Sequence, residues 1–149
     1  MFKRILVPID DSKAARLALK KAIDLCQIHK ARLRIVHAID YIALSAGVEG
    51  MDTETIHNAL QMVAQKMLDN AKKSALKRKI KVDIQLIESF KITARVDGLI
   101  LKAVKSWKAD LVVVGMNEKD VIKKLFFGSH SEQIIHKISA PILLFKSKT

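Results

Sequence analysis

The sequence predicts an α/β protein with a five-stranded parallel sheet in the strand order 3-2-1-4-5 and helices on both faces. Short apolar segments alternate with segments of helical periodicity, as in successive βαβ units. Two of the apolar segments, residues 5–9 and 111–114, contain no charged residue, which is typical of central strands covered on both faces. Right-handed crossovers then place the first and fourth strands side by side in the middle of the sheet.

The first half of the chain is expected to form two strands and two helices. Ile5–Ile9 is the first strand, and Ser12 caps the helix that follows it. The apolar positions of that helix are Leu17, Ala18, Ala22, Leu25 and Ile28. Leu33–Ile39 is the second strand, and residues 40–52 form a mobile loop. A long helix then starts at Asp52 or Thr53, with Ile56, Leu60, Val63, Met67 and Ala71 on its apolar face.

The second half is expected to complete the sheet with three strands and two more helices. Val82–Ile87 alternates apolar and polar residues in its first part, as an edge strand does. A helix over Leu99–Trp107 leads to the central strand Leu111–Val114. Ser129–Ile138 forms the last helix and Ile142–Phe145 the last strand. No glycine-rich or proline-rich tract interrupts the chain, so residues 1–149 are predicted to be one domain.

Composition excludes several classes of protein. No apolar run approaches the roughly 18 residues of a membrane span, and the first residues lack the pattern of a signal peptide. Cys26 is the only cysteine, so no internal disulfide can form, and we expect a cytoplasmic protein. The helical position of Cys26 favours a small packed side chain over a redox sensor.

The formal charge of +12 raises the question of a nucleic-acid partner. The densest basic run, over residues 72–81, falls where a helix is predicted to end, and cations stabilise that end of a helix dipole. No aromatic residue is interleaved with this run to stack on bases. The sequence therefore favours a solvated basic face over a nucleic-acid site.

A candidate anion site follows from the glycines near the fourth strand. Gly115 ends the apolar segment that begins at Ala109, and Gly128-Ser129 opens the last helix after a loop of a dozen residues. Backbone N–H groups at a helix start favour a bound phosphate. In the predicted sheet the strand order reverses between the first and fourth strands, so Asp10 and Gly115 flank the crevice where such sheets bind ligands. The glycine positions and the predicted strand order therefore locate the candidate site at the same end of the sheet.

The last strand is a candidate dimer interface. Ile142–Phe145 would be an edge strand, yet it carries no charge before Lys146. An exposed apolar edge favours pairing with another chain, and a two-fold contact through this strand would cover it. A helix of the same chain is the alternative cover.

The chain resembles the single-domain members of the universal stress protein family over essentially its whole length. The similar segments are Ile5–Ser12, Ile35–Ala38, Ala109–Gly115, Gly128–Glu132 and Ser139–Phe145. The resemblance implies the adenine nucleotide alpha hydrolase-like fold, dimers formed through the last strand, and binding of ATP or a related adenine nucleotide. It also implies a role in the cytoplasmic stress response through protein partners, which the resemblance does not identify.

The resemblance also assigns roles to individual residues. Pro8, Ile9, Ala38 and Val114 would line the adenine pocket. Asp10 would lie near the ribose or near Mg²⁺ or Mn²⁺ bound to the nucleotide. The residues that would hold the phosphates are Gly115, Gly128, Ser129, His130 and Ser131. Glycine lets a backbone approach a ligand closely, and serine donates a hydrogen bond without adding charge.

Glu118 departs from the family pattern of glycine, two residues, glycine, nine residues, glycine and serine or threonine. It occupies the second glycine position, between Gly115 and Gly128-Ser129. A carboxylate about 4 Å from a phosphate charge costs about 1 kcal/mol in water and about 4 kcal/mol at a partly buried site. A stress protein that binds no nucleotide, and that acts through its dimer and basic surface, is therefore the alternative function.

No residue is assigned a catalytic role. Gly128–Ser131 lacks the G-x-S-x-G elbow of a serine hydrolase. An adenylating enzyme would need a compact glycine-rich and serine-rich loop after the first strand, and residues 9–13 do not provide one. Any ATP hydrolysis is expected to be slow and incidental.

Overall fold

The computed structural model describes residues 1–93, 96–117 and 137–148. The strands and helices in chain order are β1 Arg4–Pro8, α1 Lys13–His29, β2 Arg32–Asp40, α2 Tyr41–Ser45, α3 Thr53–Lys77, β3 Val82–Ser89, α4 Val96–Trp107, β4 Leu111–Asn117 and β5 Ile142–Ser147. All pairings between strands are parallel and the order is β3-β2-β1-β4-β5, which confirms the predicted topology.

Two apolar clusters cover the two faces of the sheet. On one face α1 and α3 pack over a cluster that includes Ile5, Val7 and Val113. On the other face α4 packs over a smaller cluster that includes Leu6 and Val112. Neighbouring residues of β1 and of β4 thus belong to opposite clusters, as the alternation of side chains along a strand requires. The prediction of central strands covered on both faces is confirmed.

Helix α1 begins as predicted but buries a different face at its end. The Ser12 Oγ accepts a hydrogen bond of 3.0 Å from the Ala15 N–H, which makes Ser12 the N-cap. Cys26 is buried, which confirms it as a packed side chain, and burial raises the pKa of its thiol to about 12. The prediction for Ile28 is wrong, since this side chain is 72% exposed. It follows Cys26 by two residues, about 200° around the helix.

The sheet-facing side of α3 is formed mainly by alanines. Its buried residues are Ala64, Leu68, Ala71 and Ala75. Val63 was predicted on this face but is 64% exposed, because it precedes Ala64 by one residue and lies about 100° away around the helix. Small side chains allow the helix axis to approach the sheet, so the contact does not follow the largest apolar residues.

Residues 40–52 are not simply the loop that the sequence predicts, because they begin with the short helix α2. The Asp40 carboxylate accepts a hydrogen bond of 3.0 Å from the Ala43 N–H and caps this helix. The Tyr41 ring is buried and its hydroxyl donates to Glu88 Oε1 at 2.6 Å. A capped turn with one buried anchor fixes this part of the segment to β3.

Several of the remaining boundaries differ from the predicted ones by two or three residues: β3 ends at Ser89 rather than Ile87, β4 at Asn117 rather than Val114, and β5 at Ser147 rather than Phe145. Helix α4 begins at Val96, three residues earlier than predicted. The predicted helix Ser129–Ile138 lies almost wholly outside the described residues. Among the described helices, none is long and apolar enough to cross a membrane.

Candidate functional site

The candidate site lies at the carboxyl ends of β1, β2 and β4. Along β4 the side chains change from buried at Leu111–Val113 to half-buried at Val114–Asn117. Along β1 the same change occurs between the buried Val7 and the half-buried Pro8, and Asp10 beyond it is exposed. Because β1 pairs with both β2 and β4, these ends are neighbours at the point where the strand order reverses.

Three of the predicted residues share one face of the sheet. Ala38 and Val114 are half-buried and pack against the same apolar cluster, which includes Val36 and Val112. Pro8 follows Leu6 of that cluster by two residues and so projects from the same face. Pro8, Ala38 and Val114 thus form a partly exposed apolar surface across three adjacent strand ends, which we call the apolar platform.

Ile9 lies on the opposite face, where its buried side chain joins the cluster beneath α1 and α3. Its backbone is held on both sides: the Ile9 N–H donates to the Val36 carbonyl oxygen at 2.8 Å, and the Ile9 carbonyl oxygen lies 2.7 Å from His37 Nδ1. His37 is therefore a half-buried, hydrogen-bonded residue. This arrangement fixes the chain direction immediately before Asp10.

Asp10 is exposed and its carboxylate is oriented by the backbone. Asp10 Oδ1 accepts a hydrogen bond of 2.8 Å from the Ser12 N–H. The neighbouring Asp11 is also exposed, and its carbonyl oxygen accepts a hydrogen bond of 2.6 Å from the Arg16 guanidinium. Of these two carboxylates, only that of Asp10 accepts a hydrogen bond from a described residue. Its second oxygen, Oδ2, has no hydrogen-bond partner among the described residues.

Gly115 lies against the backbone of the first turn of α1. A Cβ added at this position would come within 2.1 Å of the Ala14 carbonyl oxygen, 2.3 Å of the Ala14 carbonyl carbon and 2.7 Å of the Ala15 nitrogen. From the sequence, Gly115 is expected to approach a ligand, whereas the structure shows its approach to a helix. The sequence did contain a signal for this contact. Gly115 ends a buried strand, and the neighbouring helix α1 starts at the same carboxyl edge of the sheet.

The other predicted phosphate-binding residues, Gly128, Ser129, His130 and Ser131, lie outside the described residues, as does Glu118. The described part of the site therefore comprises the apolar platform, the Asp10 carboxylate and Gly115. In the part of the chain that the structure describes, no group of three or more His, Cys, Asp or Glu side chains is arranged to hold a metal ion. The apolar platform beside the Asp10 carboxylate suits a ligand with a flat apolar ring next to a polar group.

The strand order and the helices on both faces define a doubly wound α/β fold of the adenine nucleotide alpha hydrolase-like type. The model of the universal stress protein family matches residues 1–146, so the chain belongs to that family. A universal stress protein of Thermus aquaticus is 32% identical over 146 residues, which cover 98% of this chain and all of the relative. A solved structure of a protein from Methanocaldococcus jannaschii superposes with a TM-score of 0.78 at 24% identity, covering 100% of this chain and 99% of the other.

Three further solved structures of the family contain adenine nucleotides. They are a universal stress protein with cAMP, one from Archaeoglobus fulgidus with dAMP and one from Arabidopsis thaliana with AMP. Their TM-scores are 0.68, 0.63 and 0.62, at identities of 15%, 19% and 11%. The matches cover 96–97% of this chain and 91–97% of the others. At these identities the similarity shows the shared fold alone.

Proposed function

We propose that this universal stress protein binds ATP or a related adenine nucleotide as a homodimer and acts in the cytoplasmic stress response without efficient catalysis. The observation that carries the proposal is the apolar platform of Pro8, Ala38 and Val114 beside the oriented Asp10 carboxylate. This combination lies at the reversal of strand order, where parallel sheets of this kind bind ligands. Bound cAMP, dAMP and AMP in structural neighbours support the choice of ligand.

In this proposal the adenine ring covers the apolar platform. Burying about 100 Å² of apolar surface there would contribute about 2.5 kcal/mol. Ile9 supplies backbone rather than side chain to the pocket, since its side chain lies on the other face. Gly115, Gly128, Ser129, His130 and Ser131 are the proposed phosphate-binding residues.

Asp10 is the proposed contact for the ribose or for a Mg²⁺ or Mn²⁺ ion carried by the nucleotide. Its Oδ1 already accepts from the Ser12 N–H, and the second oxygen can accept from a ribose hydroxyl or bind such an ion. A single carboxylate is a weak site for a free ion. Any metal effect should therefore appear only together with a nucleotide.

Calorimetric titration with ATP, ADP and AMP, with and without Mg²⁺ or Mn²⁺, tests this function. The proposal expects saturable binding and a rise in Tm with each nucleotide that binds. Glu118→Gly should tighten binding, because it removes a carboxylate from the second glycine position of the family's phosphate-binding pattern. Absence of binding by the wild type and by Glu118→Gly would instead support a stress protein that acts through its dimer and basic surface.

Two neighbouring carboxylates provide a matched pair for the role of Asp10. Asp10→Asn keeps an oxygen that can accept from the Ser12 N–H but removes the charge. We expect it to reduce the gain in ATP affinity produced by Mg²⁺ by about fivefold, corresponding to about 1 kcal/mol for an exposed pair of charges. Asp11→Asn, which changes the same charge one residue away, should leave that gain unaltered. Equal effects of the two variants would show that Asp10 does not contact the metal ion carried by the nucleotide.

The dimer proposal rests on β5. Leu143 and Leu144 are 37% and 41% exposed, and within the described residues β5 pairs with β4 alone. A two-fold contact through this strand would cover both leucines. Sedimentation of Leu143→Glu should show a monomer at concentrations where the wild type is a dimer, whereas Met62→Glu, at an exposed position on α3, should not change the wild-type behaviour. A monomeric wild type would contradict the proposal and favour a cover from the same chain.

The absence of efficient catalysis is tested by multiple-turnover measurements with ATP. The described part of the site contains one oriented carboxylate and no nucleophile with an adjacent base. Hydrolysis at about 1 s⁻¹ or faster, in the ordinary range for enzymes, would contradict this part of the proposal.

A further inference from the structure

A groove of about 740 Å³ runs between α1 and α3, on the face of the sheet opposite the apolar platform. Its apolar lining includes Leu19 and Ile23 of α1 and Met67 and Ala71 of α3. Val63, which the sequence places in the core, lies on the edge of this groove and is 64% exposed. At the amino edge of the sheet the groove is closed by Arg78, which pairs with Asp24 at 3.1 Å.

Cations line both sides of this groove. Lys20 of α1 and Lys66 and Lys77 of α3 are exposed and line it. Among the described residues, none forms a salt bridge or side-chain hydrogen bond with these three lysines. Asp10 and Asp11 are the acidic lining residues, and both are confined to one end. An occupant with an apolar surface and distributed negative charge would therefore fit the rest of the groove.

We propose that this groove binds an amphipathic helix of a partner protein that carries acidic residues on both sides of its apolar stripe. The lining residues of α3 from Val63 to Lys77 span about 21 Å, the length of about 14 helical residues. A lipid with a single anionic headgroup would pair with one lysine, whereas acidic residues on both sides of an apolar stripe can pair with lysines on both helices. Helix binding in an apolar groove is an established mode of recognition.

The test uses a fluorescein-labelled peptide of about 14 residues with leucine at positions i, i+3, i+4 and i+7 and glutamate on both flanks. Fluorescence anisotropy measures its binding to the full-length protein. A second peptide with the same composition and a scrambled order is the control for composition. We expect the patterned peptide alone to bind saturably.

Two double variants with the same net charge locate the binding. Lys20→Glu/Lys66→Glu reverses charge in the groove, whereas Lys21→Glu/Lys73→Glu reverses exposed charges on the same helices outside it. We expect the first to weaken binding by about tenfold or more, because attractive pairs become repulsive, and the second to change it much less. Val63→Glu should also weaken binding, and Met62→Glu, at the adjacent exposed position, should not.

Several outcomes would overturn the proposal. Equal effects of the two double variants, or equal binding of the scrambled peptide, would show a general effect of the +12 charge. Absence of saturation by about 1 mM peptide would show that the groove does not recognise such a helix. Loss of self-association on Val63→Glu would assign the groove to a second copy of the chain. Binding to phosphatidylglycerol vesicles without peptide binding, abolished by Lys20→Glu/Lys66→Glu, would assign it to a membrane surface.

Discussion

Replacing Gly115 with alanine tests the contact between β4 and the first turn of α1. The added methyl would lie 2.1 Å from the Ala14 carbonyl oxygen and 2.7 Å from the Ala15 nitrogen. Both atoms are backbone, so no side-chain rotation can relieve the overlap. The helix start must move, and the Ser12 cap, which depends on the position of the Ala15 N–H, moves with it.

The expected cost follows from these two effects. Overpacking a well-packed site costs about 1–3 kcal/mol, and a collision with three backbone atoms belongs at the upper end of that range. Weakening the Ser12 cap adds about 1 kcal/mol at most. We therefore expect Gly115→Ala to lower the free energy of unfolding by about 3–4 kcal/mol. For a chain of 149 residues this corresponds to a fall in Tm of about 6–16 °C.

Urea unfolding followed by circular dichroism and by the fluorescence of Trp107, the only tryptophan, measures this change. Gly98→Ala is the matched control, since its added methyl meets no atom of the described residues within 4 Å outside its own helix backbone, and α4 should gain up to about 1 kcal/mol in helix propensity. Ser12→Ala isolates the contribution of the cap. A loss below about 0.5 kcal/mol for Gly115→Ala, the range of ordinary surface substitutions, would refute the close approach of α1 to β4.

Three further predictions concern ionisable groups. Burial, the hydrogen bond to Glu88 and the charge of Glu88 raise the pKa of Tyr41 to about 12. Tyr41 is the only tyrosine, so absorbance titration should give a pKa of about 12 in the native protein and about 10 in urea. The native value should be lower in Glu88→Gln. Cys26 should resist a thiol reagent at pH 8 until the protein unfolds, because burial raises its pKa to about 12; rapid native modification would contradict its packing. Hydrogen bonds from Thr55 lower the pKa of Asp52, so its stabilisation of α3 is present above the ordinary carboxyl pKa and is lost as the pH falls through the lowered value. Asp52→Ala should therefore reduce the acid dependence of unfolding, and an unchanged pH profile would refute this.

The sheet topology was predictable because it depends on apolar segments of several residues, so an error at one residue does not change the predicted strand order. Two uncharged segments far apart in sequence are enough to place β1 and β4 in the centre. The buried faces of helices were less predictable, because successive residues lie about 100° apart around a helix and an error of one residue selects a different face. On α3 the contact with the sheet is made largely by alanines, whose small size gives a weak hydropathy signal, while the larger Val63 is exposed at the groove.

The candidate site was predictable in position more than in role. Pro8, Ala38 and Val114 share a face because strand alternation dictates it, and the same alternation puts Ile9 on the other face. Gly115 shows why a motif alone cannot assign a role. The sequence supplies one reason for a glycine there, a close approach to phosphate, and the structure supplies a second, the close approach of Ala14. Because the packing reason holds in the absence of any ligand, Gly115 would be required even in a protein that binds no nucleotide. The functional assignment is therefore better tested at Asp10, whose side chain is exposed, and at Glu118, which departs from the family's glycine pattern.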